Sequence, residues 1–128
     1  MADNLTDTAE NLMLDWINGV GSPSRPTPPL KLALLTANGT DAAAGTEVTG
    51  GSYARPTIVV GAAAGGATSN TNLIEVADMP ACTVTGVAVY DSAGSPLRIW
   101  HGTLSSSKTV NAGDTFQIPI GDLDLVLG

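Results

Sequence analysis

From Leu30 onward the chain is a succession of short apolar runs, each cut by Gly, Asn, Asp or Ser before it reaches the length of a helix. Such punctuation leaves room for short strands and frequent turns but not for long helices. The runs cover residues 30–36, 53–61, 72–76, 84–90, 97–101, 115–120 and 123–127. They predict a mainly β fold, an antiparallel β-sandwich or barrel of about seven to eight short strands. The run 84–90 alternates well enough to be a central strand, and Pro56 marks 53–61 as an edge strand or the start of a ladder. The small-residue stretches 37–51 and 61–66 read as flexible loops, and 91–95 as a turn.

Two tight connections predict pairing. Asn111, Ala112, Gly113 and Asp114 lie between Lys108-Thr109-Val110 and Thr115-Phe116-Gln117, with Gly113 available for positive φ, so a hairpin is expected there. Gly121 and Asp122 predict a second hairpin between the last two strands. In the final strand Leu123, Leu125 and Leu127 share one face, expected to look into the core, while Asp122, Asp124 and Val126 share the other.

The start of the chain has a different period. Leu5, Ala9, Leu12, Met13, Trp16, Ile17 and Val20 recur at three- and four-residue steps, which gives one apolar face on a helix running from about Leu5 to Val20. Thr6 and Asp7 are the candidate N-caps, Glu10 stands three residues after Asp7 as in a capping box, and Gly19 or Gly21 ends the helix. The apolar stripe packs either on the chain's own sheet or on a neighbouring subunit; periodicity does not separate the two. The next segment, GSPSRPTPP, holds four prolines within residues 21–29 and reads as a stiff, polyproline-like connector. The expected division is therefore an N-terminal helix and Pro-rich arm over 1–29, and a β-sandwich domain over 30–128.

Composition narrows the function classes. A chain of 128 residues has room for one core. Charged residues make up 13%, about half the usual share, so much of the surface is neutral and suited to contact with protein. The formal charge of −7 with five Lys plus Arg argues against nucleic acid, whose phosphates call for clustered cations. The acidic start Met1-Ala2-Asp3-Asn4-Leu5 does not resemble a signal peptide, and no apolar run approaches the roughly 18–20 residues that span a bilayer. The expectation is a soluble protein made in a cytoplasm, with no membrane partner.

Candidates for chemistry are few. His101 is the one histidine, so any Ser-His or Cys-His mechanism has to use it, yet no GxSxG elbow surrounds it, and a structural role is expected. Cys82 has no partner for an intrachain disulfide and no nearby base, which suits a buried or incidental thiol. Asp122 and Asp124 form a D-x-D pair, but no EF-hand loop accompanies them, and strand alternation explains the pair as a solvated face. The glycine stretches lack GxxxxGK[ST], so no phosphate cradle is expected. Asn38-Gly39-Thr40 is a glycosylation sequon with no secretory signal to make it matter. Trp100 and Tyr90 lie in apolar strand contexts, where a core role is expected over an exposed carbohydrate-binding row. No catalytic residue, cofactor or metal site is expected.

Residues 45–55, GTEVTGGSYAR, resemble the GTEV[ST]GG-x-YAR signature of small tailed-bacteriophage virion proteins usually labelled phage tail fibre or minor tail protein. Further segments are similar in the same order: GATSN at 66–70, VTGVAVYD at 84–91, WHGTL at 100–104, KTVNAGDTF at 108–116 and GDL at 121–123. The similarity runs from about residue 30 to the end. Family members often carry a tryptophan or other bulky residue before the Val84 strand, where this chain has Met79-Pro80-Ala81-Cys82.

The resemblance implies a structural virion component with no catalytic residues. A compact chain of this size has a radius of gyration of roughly 14 Å and is no shaft by itself. The expectation is a small head-decoration or minor capsid subunit, with a tail-fibre or tail-surface accessory, receptor- or glycan-binding or not, as the alternative. Its partners are expected to be major capsid or tail proteins and further copies of itself, a trimer being the guess from virion symmetry. The residues expected to dock are Leu5, Leu12, Met13, Trp16 and Ile17 on the helix and Pro26, Pro28 and Pro29 on the arm, since a stiff linker lowers the ordering cost of placing an amphipathic helix.

Overall fold

The structure, a computed structural model, describes residues 4–127; the acidic start at Met1, Ala2 and Asp3 lies outside them. The order is β1 (Asn4–Leu5), α1 (Asp7–Asn18), β2 (Leu30–Ala37), β3 (Thr46–Glu47), β4 (Thr57–Ile58), β5 (Ala67–Ser69), β6 (Ile74–Val76), β7 (Cys82–Tyr90), β8 (Arg98–Val110), β9 (Phe116–Ile118) and β10 (Asp124–Val126). A main sheet runs β1-β8-β7-β2-β3, with β4 also paired to β2, and two separate antiparallel ribbons are β5 with β10 and β6 with β9. The mainly β class with one N-terminal helix holds. The finer expectation of a sandwich or barrel is not met as a single closed or two-sheet unit among the described residues: the main sheet stays open, and the ribbons that pack with it are two strands each.

β7 is central, as the alternation of 84–90 predicts, and is flanked by β2 and β8 in antiparallel register. One face of the main sheet, through Leu32, Leu34, Val84, Val87 and Val89, packs on Ile74, Val76, Phe116, Ile118, Leu123 and Leu125 of the ribbons and the segment leading into β10. The opposite face carries a smaller cluster of Ala33, Leu35 and Ala88 with half-buried Tyr90 against it. β2 is therefore buried on both sides. Met79, 1% exposed, fills the core just before β7.

Both predicted hairpins are corrected. The Asn111–Asp114 reversal forms, with the Asp114 amide donating to the Asn111 carbonyl at 3.0 Å and Gly113 at φ 89°. The strands on either side then part: Val110 pairs with Cys82 on β7, whereas Phe116 pairs with Val76 on β6. Met79 holds the reversal instead, its amide donating to the Asp114 carbonyl at 2.9 Å and its carbonyl accepting from Gly113 at 2.8 Å. The turn at Gly121 behaves alike, because β10 pairs with β5 and not with β9.

Here the organiser is Asn70, 1% exposed. Its Nδ2 donates to the carbonyls of Asn72 and Pro119, and its Oδ1 accepts from the amides of Gly121 and Leu123. One buried side chain thus has all four hydrogen-bonding positions filled. Leu123 and Leu125 are buried as expected, but Leu127 is 43% exposed. β5, directly after the 61–66 loop, and β3, within the stretch 37–51 expected to be a loop, carry no strand signal in the sequence, and the run 97–101 belongs largely to a 13-residue β8.

The signature 45–55 closes the outer edge of β2. That edge is shared by β4, which pairs with Leu30 and Lys31, and β3, which pairs with Leu35 and Ala37. Between them the Leu32 amide donates to the Pro56 carbonyl, and the Leu34 amide donates to the Tyr53 hydroxyl at 3.0 Å. That hydroxyl donates in turn to Glu47 Oε2 at 2.6 Å. A side chain thereby supplies a ladder acceptor that no neighbouring strand provides. Gly51, at φ 55°, is required: a Cβ there would lie 2.7 Å from the Asp78 carbonyl oxygen.

Candidate docking groove

Thr6 caps α1, but not through the Asp7–Glu10 capping box expected from sequence. Its Oγ1 accepts from the Ala9 amide at 3.2 Å and donates to the Arg98 carbonyl at 2.8 Å, while its own amide donates to the Ile99 carbonyl. The cap residue is thus also a cross-link to β8. Just before it, Asn4 and Leu5 pair with His101 and Trp100, adding β1 to the sheet edge. At the other end Gly19, at φ 71°, ends the helix with its amide on the Asp15 carbonyl.

The Pro-rich arm returns along the same side. Asp91, 5% exposed, accepts from the amides of Thr27, Ala93 and Leu97, and the Ser92 amide donates to the Thr27 carbonyl at 2.9 Å. Burial alone would raise the Asp91 pKa; the three backbone donors outweigh it and hold the carboxyl below its ordinary value. The reversal after β7 is therefore also the anchor of the arm.

Between these anchors α1 and the arm stand apart. They enclose an apolar groove of about 870 Å³ floored by Leu30, Val60, Leu97, Ile99 and Trp100. Ala9, Leu12, Met13 and Trp16 form the helix wall, and Pro23, Ser24, Arg25, Pro26 and Pro28 the arm wall. Only Ala9 of the helix is buried; Trp16 is 72% exposed. The helix stripe meets the sheet at one end and leaves most of its apolar surface unpartnered.

Of the residues expected to dock, Leu12, Met13, Trp16, Pro26 and Pro28 come together on this groove. Leu5 is half-buried in β1, while Ile17 and Pro29 are exposed outside the groove lining. Leu30, Val60, Leu97 and Ile99 of the floor were not singled out from sequence, because an apolar residue on a strand carries no mark of which side of the fold it will reach. Trp100 is the exception in kind: its Nε1 donates to the Val126 carbonyl at 3.1 Å, so the ring is held at the groove by a specific bond.

The other candidate side chains are occupied structurally. His101, 7% exposed, lies 2.6 Å through Nε2 from Asp41 Oδ1, and this pair fastens the loop after β2 to β8. Among the described residues no hydroxyl or thiol is hydrogen-bonded to His101. Burial pushes the Cys82 thiol above its ordinary pKa, away from the thiolate form. Asp122 and Asp124 are exposed, and among the described residues no three His, Cys, Asp or Glu side chains gather as metal ligands. Tyr90 lies under the Arg55 guanidinium, 3.7 Å from its ring centroid. Asn38 of the sequon accepts from Thr85 Oγ1 and donates to Thr103 Oγ1.

Comparison with known proteins adds one family. The model described as Gp80, Podophage GP4 fiber I protein gp80, matches residues 4–126. No curated protein matches the chain.

Proposed function

The chain belongs to the Gp80 family, Podophage GP4 fiber I protein gp80, and is a fiber-type structural protein of a phage virion; on that premise we propose that it is a non-enzymatic subunit of the tail fibre, held to neighbouring virion proteins through the α1 and arm side. The match over residues 4–126 carries this reading, since it covers helix, arm and strands together. It favours the tail-fibre alternative over the head-decoration expectation, because the family is described by a fiber. His101 and Cys82, the residues on which a hydrolase would depend, have the structural settings described above.

A unit with a radius of gyration of roughly 14 Å contributes to a fibre by joining other subunits rather than by its own length. The groove supports that assembly role, because an apolar surface of this extent on a chain with few charges is stabilised when a partner covers it.

Labelling this protein in purified virions, with its copy number measured against the major capsid protein, tests the reading. Label on the tail at a few to a few dozen copies is the expected result. Label over the head at near-stoichiometric copy number overturns it in favour of decoration.

A further inference from the structure

We propose that the groove between α1 and the Pro-rich arm is filled by α1 of a second copy of this chain, with the neighbour's Trp16 on the apolar floor and its Asp15 facing Arg25. The inference rests on the assembly reading above and names the partner of that surface.

Charge selects the occupant. The chain has five Lys plus Arg. Arg55 is paired with Glu47, Arg98 donates to the Thr40 carbonyl, Lys31 donates to the Thr57 hydroxyl, and Lys108 lies on β8 opposite Val84, outside the groove lining. Arg25 is the cation that lines the groove, and no carboxylate among the described residues pairs with it. A groove of apolar residues with one unpaired cation on its rim selects an apolar helix that carries an acidic residue beside its apolar face.

The chain's own helix has that character. α1 presents Leu12, Met13 and Trp16 on one face, carries Asp7, Glu10 and Asp15, and has no basic residue in its last turn. Asp15 stands in that last turn, at the negative end of the helix dipole, where a carboxylate is disfavoured and a cation is favoured. An arginine from a neighbour relieves both the unpaired cation and the misplaced carboxylate. Since each copy has both the groove and the helix, the contact is self-complementary, the condition for a closed two-fold interface.

Sedimentation velocity on the purified 128-residue chain tests this away from the virion, so its outcome is independent of where the protein sits on the particle. Concentration-dependent association is expected. Trp16→Ala is expected to weaken it roughly thirtyfold, the effect of losing an aromatic anchor. Arg25→Glu also weakens it, and Arg25→Glu combined with Asp15→Arg restores it to within a few fold. All three positions are exposed, so unchanged far-UV circular dichroism and Tm identify the variants as folded. A monomer at every concentration up to the solubility limit overturns the proposal. Association indifferent to Trp16→Ala, or a charge swap that fails to restore it, overturns it equally.

Discussion

The Arg55 guanidinium grips the Glu47 carboxylate with two hydrogen bonds, Nε to Oε2 at 2.9 Å and Nη2 to Oε1 at 2.8 Å. Oε2 also accepts from the Tyr53 hydroxyl, so one carboxylate gathers three donors from a segment that has no strand of its own to follow. The Glu47, Tyr53 and Arg55 of the virion-protein signature are therefore a clamp on the edge of β2.

Burial works to raise the Glu47 pKa, but the hydrogen bonds from Arg55 and Tyr53 and the arginine's charge outweigh it and hold the carboxyl below its ordinary 4.5. A carboxyl with a depressed folded-state pKa contributes stability that is present above its unfolded value and lost as pH falls through the folded one. Thermal unfolding followed from neutral pH downward is expected to show Tm falling below about pH 4.5. In Glu47→Gln this part of the acid dependence disappears, and stability at neutral pH drops by about 1–3 kcal/mol through the lost charge-assisted bonds.

Asp91→Ala leaves three backbone amides without their acceptor, two in the reversal after β7 and one in the arm at Thr27. A loss of about 1–3 kcal/mol is expected from the buried donors. Amide hydrogen exchange distinguishes this from general destabilisation: Thr27 and Leu97 should lose protection first, while β7 amides exchange only through global unfolding.

Asn70→Asp is nearly isosteric and removes both side-chain donors, so the carbonyls of Asn72 and Pro119 lose their partners while a negative charge enters a buried site. Denaturant unfolding should show a loss on the order of 3 kcal/mol. Retention of full stability would show that the two turns close without this side chain.

Thr6→Val keeps the side-chain shape and deletes the hydroxyl that both caps α1 and donates to Arg98. About 0.5–2 kcal/mol is expected for the cap. Circular dichroism should show helical signal lost at lower temperature than the β signal, because few other bonds tie α1 to the sheet.

Gly86→Ala tests the closeness of β7 to its surroundings. A Cβ there would lie 2.4 Å from Asn38 Oδ1 and 2.6 Å from the Gly102 carbonyl oxygen. The backbone neighbour has little room to give, so a destabilisation of about 1–3 kcal/mol is expected in denaturant unfolding.

A helix from about Leu5 to Val20, strands at the β2 and β7 positions with β7 central, and the reversals at Asn111–Asp114 and Gly121 are all legible in the residue pattern. These depend on neighbours within a few positions: cap oxygens, apolar period and glycines at positive φ. Which strands pair after each reversal is set by long-range contacts. A turn fixes that the chain changes direction, not who accepts its next hydrogen bonds, and Met79 and Asn70 supplied those partners from distant segments. The groove has the same origin. Its walls and floor run from Ala9 to Trp100, and their meeting is set by the Asp91 and Thr6 anchors, long-range bonds that carry no periodic signal in the chain.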